Sequence, residues 1–195
     1  MKKLISKRND VYLKDGKVYK QFNVEGAARI EADFLYMLRQ KGVSVPAVLR
    51  LDGNILVTEY IPGVTLPDLL CDLHSTTDWL LVAEAITHWL NSFYHAVSHE
   101  TTGEIRGDVN GRNFIFHDGN VWGVDFEAHQ YGIRETDAGR LLAFIATYDT
   151  PNDTEKHALA KALEQQFSDV LKLKPDTISI AREKELQAIS IRRNR

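Results

Sequence analysis

Two carboxylates and one amide define the chemistry open to this chain. Asp108 and Asn113 stand five residues apart in the run Arg106-Gly-Asp-Val-Asn-Gly-Arg-Asn-Phe-Ile-Phe, and Asp125 follows twelve residues later in Val124-Asp125-Phe126-Glu127. Between them, two apolar runs, 114–116 and 121–124, flank an Asp118-Gly119 pair, the mark of a tight β-hairpin. The hairpin turns Asp125 back toward the loop holding Asp108 and Asn113, so three oxygen-bearing side chains are expected at its mouth. Such a set suits phosphoryl transfer. A hard Mg²⁺ ion takes carboxylate and amide oxygens together with nucleotide phosphates, which assigns Asn113 and Asp125 to metal. A carboxylate not engaged by metal, Asp108, is the candidate to orient an acceptor hydroxyl and take its proton. The competing reading is an ordinary polar surface hairpin, and the upstream residues weigh against it.

Those upstream residues belong to elements that position the three. Val11–Leu13 and Val18–Phe22, joined at Asp15-Gly16, read as a hairpin, with Leu4-Ile5 as a further short strand and residues 6–9 as the connecting loop. Lys20 lies in the second strand. Asn23 is the expected N-cap of a helix from about Val24 to Lys41, stopped by Gly42, with Ala27, Ile30, Phe34, Leu35 and Leu38 as its apolar face. Glu31 shares that face with Leu35 and Leu38, so its carboxylate is half-buried and needs a partner. Lys20 is the nearest candidate. Glu25, in the first turn, is explained by the helix dipole.

A third Asp-Gly hairpin joins Val43–Leu51 to Ile55–Ile61, and Pro62-Gly63 then breaks the pattern. The change marks a boundary between a strand-rich part, residues 1–60, and a mainly helical part, residues 61–195. Backbone groups of Glu59, Tyr60 and Ile61 fall at the junction, where cofactor sites tend to form. Asp78 opens a long helix whose Trp89 and Phe93 stripe reads as core. His95 and His99 near its end lack a third ligand for zinc. Asp137, at the start of the next helix, is either a cap or a brace for the loop of Asp108. A further amphipathic helix is expected over Thr154–Leu173. Beyond it, Arg182, Lys184, Arg192, Arg193 and Arg195 form a basic tail, either solvated or holding an anionic partner such as RNA.

Composition excludes several classes. A net charge of −3 gives no general attraction to nucleic acid or anionic membrane, and the single Cys71 rules out an intrachain disulfide and a four-cysteine zinc site. The Met1-Lys-Lys-Leu-Ile start is interrupted by Ser6-Lys-Arg-Asn-Asp before a signal-peptide core forms, and no apolar run is long enough for a bilayer. A soluble cytoplasmic protein with no membrane partner is the expectation. The glycines at 103, 107 and 111 form no P-loop, since no Gly-Lys-Ser/Thr follows.

The motifs Gly107-Asp108-x4-Asn113-Phe, Val124-Asp-Phe, Val57-Thr-Glu-Tyr-Ile-Pro-Gly63 and Glu31-x3-Leu35-x2-Leu38 are similar in order and spacing to those of the protein-kinase-like superfamily. The match spans about Lys17 to Phe144 and lies on the side of the aminoglycoside and choline phosphotransferases. In its compactness and basic C-terminus the chain also resembles the RIO kinases and the kinase subunit of the KEOPS complex that makes threonylcarbamoyladenosine in tRNA. The resemblance implies an α+β, two-lobed fold: an antiparallel sheet plus one helix, then a mainly helical lobe. It implies ATP and Mg²⁺ as cofactors, Lys20 and Glu31 as the phosphate-binding pair, and the backbone from Glu59 to Ile61 as the adenine hinge. Asp108 becomes the catalytic base, with Asn113 and Asp125 the metal ligands.

The chain departs from the pattern in several places. Residues 6–9 contain no glycine, so the glycine-rich phosphate cover is missing or replaced, with Lys7 and Arg8 as possible substitutes. Arg106 stands where phosphotransferases usually have His, Glu127 replaces the Gly of Asp-Phe-Gly, and Asn110 falls where Ser/Thr kinases have Lys. The expected function is transfer of the ATP γ-phosphoryl group to a hydroxyl, with a protein acceptor slightly favoured over a small hydroxyl compound. The rivals are a pseudokinase scaffold that binds nucleotide without turnover and a subunit that uses its basic tail on RNA.

Overall fold

Asp-Gly pairs fold the chain back on itself where the sequence places them. Asp15 and Gly16 take φ of 50° and 68°, Asp118 and Gly119 take 48° and 74°, and two positive values in a row define the turn that matches strand twist. The structure, a computed structural model, describes residues 2–4, 6, 8–72, 77–97 and 102–194. Ile5, Lys7, His99 and Arg195 lie outside these residues.

The first part is an antiparallel sheet of β1 (Lys2–Leu4), β2 (Asp10–Lys14), β3 (Lys17–Gln21), β4 (Val48–Asp52) and β5 (Ile55–Glu59), ordered β1-β2-β3-β5-β4. Lys20 pairs with Leu56 in the ladder and lies two residues from Phe22, so both side chains point to the face that carries α1 (Ala27–Gln40). That helix begins three residues later than expected. Asn23 does not cap it, because its side chain donates to the Arg8 carbonyl and its backbone N–H to Asn9 Oδ1; a left-handed Gly26 makes the entry instead. The buried stripe is Ala28, Glu31, Ala32, Phe34, Leu35 and Leu38, and Ile30 is 61% exposed. Adjacent helical positions differ by about 100°, so a helix that turns Glu31 inward leaves Ile30 outward.

The second part is mainly helical. It runs through β6 (Val64–Thr65), α2 (Leu66–Cys71), α3 (Trp79–Val97), β7 (Thr102–Ile105), a 3-10 turn (Gly111–Asn113), β8 (Phe114–His117), β9 (Asn120–Gly123) and β10 (Gln130–Ile133). Helices α4 (Arg134–Thr147), α5 (Asp153–Asp169) and α6 (Pro175–Arg193) complete it. Asp78 caps α3 by accepting from the backbone N–H of Leu80. Strands β6, β8 and β9 form one small sheet, and β7 pairs with β10. Helix α5 ends earlier than expected, because the chain reverses at Lys172 (φ 56°) and Leu173 N donates back to Phe167 O.

One aromatic core joins both parts. Phe34 of α1 meets Phe126 at 5.7 Å and Phe93 of α3 at 6.3 Å, and Trp89 stands edge-on to Phe114 at 5.5 Å. Such pairs contribute about 0.5–1.5 kcal/mol each beyond burial. Trp89 Nε1 and the Gly123 N–H both donate to the Ser44 carbonyl, which ties α3 and the hairpin to the loop before β4. No helix among the described residues is long and apolar enough to cross a membrane.

The basic tail is a packed helix. Arg182 pairs with Glu164, Arg192 with Glu185, Arg193 donates to the Thr147 carbonyl, and Lys184 is exposed. His95 bonds the Asn91 carbonyl within its own helix. Helix α6 lies against α4 at Gly139, where an added Cβ would sit 2.6 Å from Ala181 Cβ and from the Arg182 backbone nitrogen. Gly139→Ala should therefore destabilise the protein by about 1–3 kcal/mol, as overpacking does. Thermal melting should show this as a fall in Tm of about 2–4 °C per kcal/mol. An unchanged Tm would mean that α6 moves away from α4 at no cost.

Candidate active site

The centre of the cleft is one ammonium among carboxylates. Lys20 Nζ lies 2.8 Å from Glu31 Oε2, 2.8 Å from Asp125 Oδ1 and 2.7 Å from Glu127 Oε1, and it also sits 4.8 Å from the centre of the Phe22 ring. Strand β3 supplies Lys20, α1 supplies Glu31, and the segment after β9 supplies both acids from the helical part. Burial alone lowers the Lys20 pKa, but Glu31, Asp125 and Glu127 outweigh it and hold the ammonium above its ordinary value. Burial raises the Glu31 carboxyl, with Lys20 opposing. Asp125 is half-exposed; its desolvation is outweighed by Lys20, by a hydrogen bond with Glu127 and by Arg106, so it stays below the usual carboxylate range. The oxygens of Glu31, Asp125 and Glu127 all lie within 4.8 Å of one another, and Lys20 is what makes that crowding tolerable.

Asp125 adopts φ 63°, the left-handed region that costs a non-glycine residue free energy and that Asp tolerates better than most. Arg106 holds it there. This residue is fully buried, its Nη1 donates to the Asp125 carbonyl at 2.7 Å, its Nη2 donates to the Val124 carbonyl, and its guanidinium lies 4.1 Å from the centre of the Phe126 ring. Burial lowers the Arg106 pKa, opposed by Asp125, Asp108, Asp137 and Glu31. Its Nε has no partner among the described residues.

Asp137 fixes the loop on the other side. Its Oδ2 accepts from the Arg106 N–H at 2.7 Å and from the Tyr94 hydroxyl at 3.0 Å, and its Oδ1 accepts from the Gly107 N–H at 2.9 Å. Of the two roles open to Asp137, the brace is the one the structure shows; no side chain caps α4. Gly107 is required where it stands, since at φ 78° a Cβ would lie 2.0 Å from the Ala128 carbonyl oxygen. Arg140 closes the loop by donating to the Gly107 carbonyl.

Asp108 and Asn113 face each other across the 3-10 turn. Asn113 Nδ2 donates to the Asp108 carbonyl at 3.3 Å, which leaves its oxygen as the atom able to face a cation, and Asp108 Oδ1 accepts from the Asn110 N–H at 3.2 Å. The Val124 N–H donates to the Asn113 carbonyl at 3.0 Å, so the residue preceding Asp125 is tied to the turn. Glu59 and Ile61 stand apart from this group, at the end of β5. The Glu59 carboxylate accepts from Arg39 and from the Ala47 N–H, while the backbone N–H groups of Glu59 and Tyr60 donate to Ala47 and Gly16.

Sequence reasoning missed three participants. Glu127 and Arg106 stood out only as departures from a motif, with no contact assigned to either. Asn9 gave no signal at all, yet its Nδ2 donates to Glu127 Oε1 at 2.7 Å.

Two tests follow from this geometry. Arg106→Met should orphan the Val124 and Asp125 carbonyls at about 1–3 kcal/mol each. Urea midpoints should fall further for it than for Arg106→Lys, whose ammonium still reaches one carbonyl; equal losses would show that the clamps contribute nothing. Lys20→Met removes the charge that opposes burial at Glu31. The Glu31 carboxyl, already raised, should then titrate higher still in a carbon-13 NMR titration, and an unmoved value would mean that Lys20 does not govern it.

A family model for the RIO domain matches residues 1–141. Among solved structures, the aminoglycoside phosphotransferase APH(3'')-Id from Streptomyces rimosus, bound to ADP and streptomycin, aligns with a TM-score of 0.64 at 14% identity, covering 89% of this chain and 88% of that one. The aminoglycoside phosphotransferase APH(2'')-IIa, bound to streptomycin and ATP, gives 0.62 at 13% identity, covering 94% and 82%. A choline/ethanolamine kinase family protein from Mesorhizobium loti gives 0.55 at 15%, covering 99% and 80%. At these identities the likeness establishes a two-lobed protein-kinase-like fold. None of the curated proteins matches the chain in sequence. With the RIO model covering most of its length, the chain belongs to the RIO-domain family of atypical protein-kinase-like phosphotransferases.

Proposed function

We propose that the chain transfers the γ-phosphoryl group of Mg·ATP to a hydroxyl, and that the acceptor is a protein serine or threonine. The observation that carries this reading is Lys20 bridging Glu31 and Asp125, with the residue before Asp125 hydrogen-bonded to Asn113 of the Asp108 loop. We take residues 1–60 as the nucleotide-binding lobe and 61–195 as the catalytic lobe. Lys20, anchored by Glu31, presents an ammonium to the nucleotide phosphates. The carboxylate of Asp125 and the amide oxygen of Asn113 form a hard-oxygen donor set that fits Mg²⁺. The ion, when bound, would neutralise charge on the β- and γ-phosphates. Asp108 orients the acceptor hydroxyl and takes its proton. At the hinge, the N–H groups of Glu59 and Tyr60 are already bonded within the chain, so an adenine edge would meet the Glu59 carbonyl and the Ile61 backbone.

Charge favours entry of the nucleotide as its metal complex. The carboxylates of Glu31, Asp125 and Glu127 outnumber the Lys20 ammonium and the Arg106 guanidinium beside them, an excess of negative charge that would repel a bare triphosphate. A protein acceptor is supported by RIO-domain membership and by how much of the short helical lobe goes into its own core. A small hydroxyl acceptor is the second reading. It is favoured by Asn110 in the position of the protein-kinase lysine and by the streptomycin bound to two of the similar structures.

Labelled ATP with Mg²⁺, offered to proteins, to the chain itself and to streptomycin, gentamicin and choline, tests the reading. Label on protein supports it, efficient transfer to a small compound reverses the acceptor, and nucleotide binding without transfer to anything makes the chain a pseudokinase. The division of roles has its own check. Asp125→Asn should weaken Mg·ATP binding in calorimetry more than Asp108→Asn does, while Asp108→Asn should lower turnover by about 10²–10⁴-fold. Equal losses of binding would sink the division.

A further inference from the structure

The glycine-free turn before β2 is held by a side chain. Asn9 is 9% exposed, and both ends of its amide are engaged. Its Oδ1 accepts from the Asn23 N–H at 3.2 Å, which fastens it to the turn between β3 and α1. Its Nδ2 donates to Glu127 Oε1 at 2.7 Å, and that same oxygen lies 2.7 Å from Lys20 Nζ. The Asn9–Glu127 contact joins residues 118 positions apart and links the sheet to the segment carrying Asp125. The two parts are joined in one place by the aromatic core and Ser44, and in another by polar contacts through Asn9, Glu127 and Lys20.

We infer that Asn9 is a positioning residue for nucleotide binding: through Glu127 it clasps the start of β2 to the segment carrying Asp125, a side-chain tie at a place where no glycine lets the backbone close over phosphate. A glycine-rich cover works because backbone N–H groups come close to phosphate with no side chain in the way. Residues 6–9 lack that freedom, and while the β3–β5 ladder holds the hairpin in the sheet, the approach to β2 is tied toward the site by the Asn9 side chain. A buried hydrogen bond to a carboxylate is strong enough for this and breaks reversibly when water enters. The clasp rests on the phosphoryl-transfer reading for its purpose and on the Asn9–Glu127 contact for its existence, and the two can fail separately.

The test measures both. In the nucleotide-free protein, amide hydrogen exchange over residues 8–14 should rise about ten- to a hundredfold in Asn9→Ala, the worth of one hydrogen bond to a charged group, while exchange in α3 and α4 stays unchanged. Glu127→Ala should reproduce the rise. Glu127→Gln, whose oxygen still accepts from Asn9, should largely keep the protection. In stopped-flow measurements with a fluorescent ATP analogue and Mg²⁺, Asn9→Ala should release nucleotide faster by a similar factor. Unchanged exchange at residues 8–14, or a rise spread over the whole chain with a lower Tm, overturns the clasp. A loosened hairpin with unchanged nucleotide release overturns its role in binding. Absence of nucleotide binding in the wild-type protein overturns the phosphoryl-transfer reading and the nucleotide role of Asn9 together, while the exchange result still decides whether the clasp exists.

Discussion

The Lys20 ammonium, caught between carboxylates from both parts of the chain, is the interaction on which the arrangement depends. A buried lysine without partners loses its proton, and clustered buried carboxylates without a cation gain one. The Lys20 ammonium is held above its ordinary value by the carboxylates around it, and it is what lets those carboxylates lie so close together. Glu31 comes from a helix, Lys20 from a strand, and Asp125 and Glu127 from the end of a hairpin, so the charge state of the cleft and the docking of three elements are one condition. The rotation of α1 follows from it. That helix turns a carboxylate inward to Lys20 and so leaves the neighbouring Ile30 in solvent, at the cost of one exposed isoleucine.

A second constraint acts on the backbone. Asp125 is held in the left-handed region, where its carbonyl turns inward to Arg106 while its carboxylate faces the cleft. Arg106 is in turn fixed through its own N–H by Asp137, which also holds Gly107. One buried carboxylate on α4 thereby sets the loop carrying Asp108, and one buried guanidinium within that loop sets the backbone of Asp125. The uncommon conformation of Asp125 persists because the residues around it over-determine it.

Much of this was legible in the chain. Asp-Gly pairs announced the hairpins because their conformational demand is local. Glu31 was legible because helical period placed a charge among leucines, which has few physical solutions. The start of α1 was not: Asn23 has the right side chain for a cap, and only tertiary structure brings Arg8 and Asn9 near enough to claim it. The tail carried a charge pattern but no signal for Glu164 and Glu185, the partners it finds. Arg106 and Glu127 could be seen as departures from a motif, yet their contacts depend on backbone carbonyls and on residues more than a hundred positions away. Asn9 could not be singled out at all, because a lone asparagine in a polar loop has too many uses.

Trp89 has a consequence of a different kind. Its indole N–H is bonded to Ser44, its ring packs against Gly123 and Phe114, and the Arg106 guanidinium lies 6.0 Å away. Indole emission responds to the loss of a hydrogen bond, and here the acceptor, Ser44, belongs to the other half of the chain, while the Arg106 charge moves with Trp89 itself. With Trp79 and Trp122 replaced by phenylalanine, the remaining indole becomes an optical gauge at the joint between the two parts, needing no dye in the cleft.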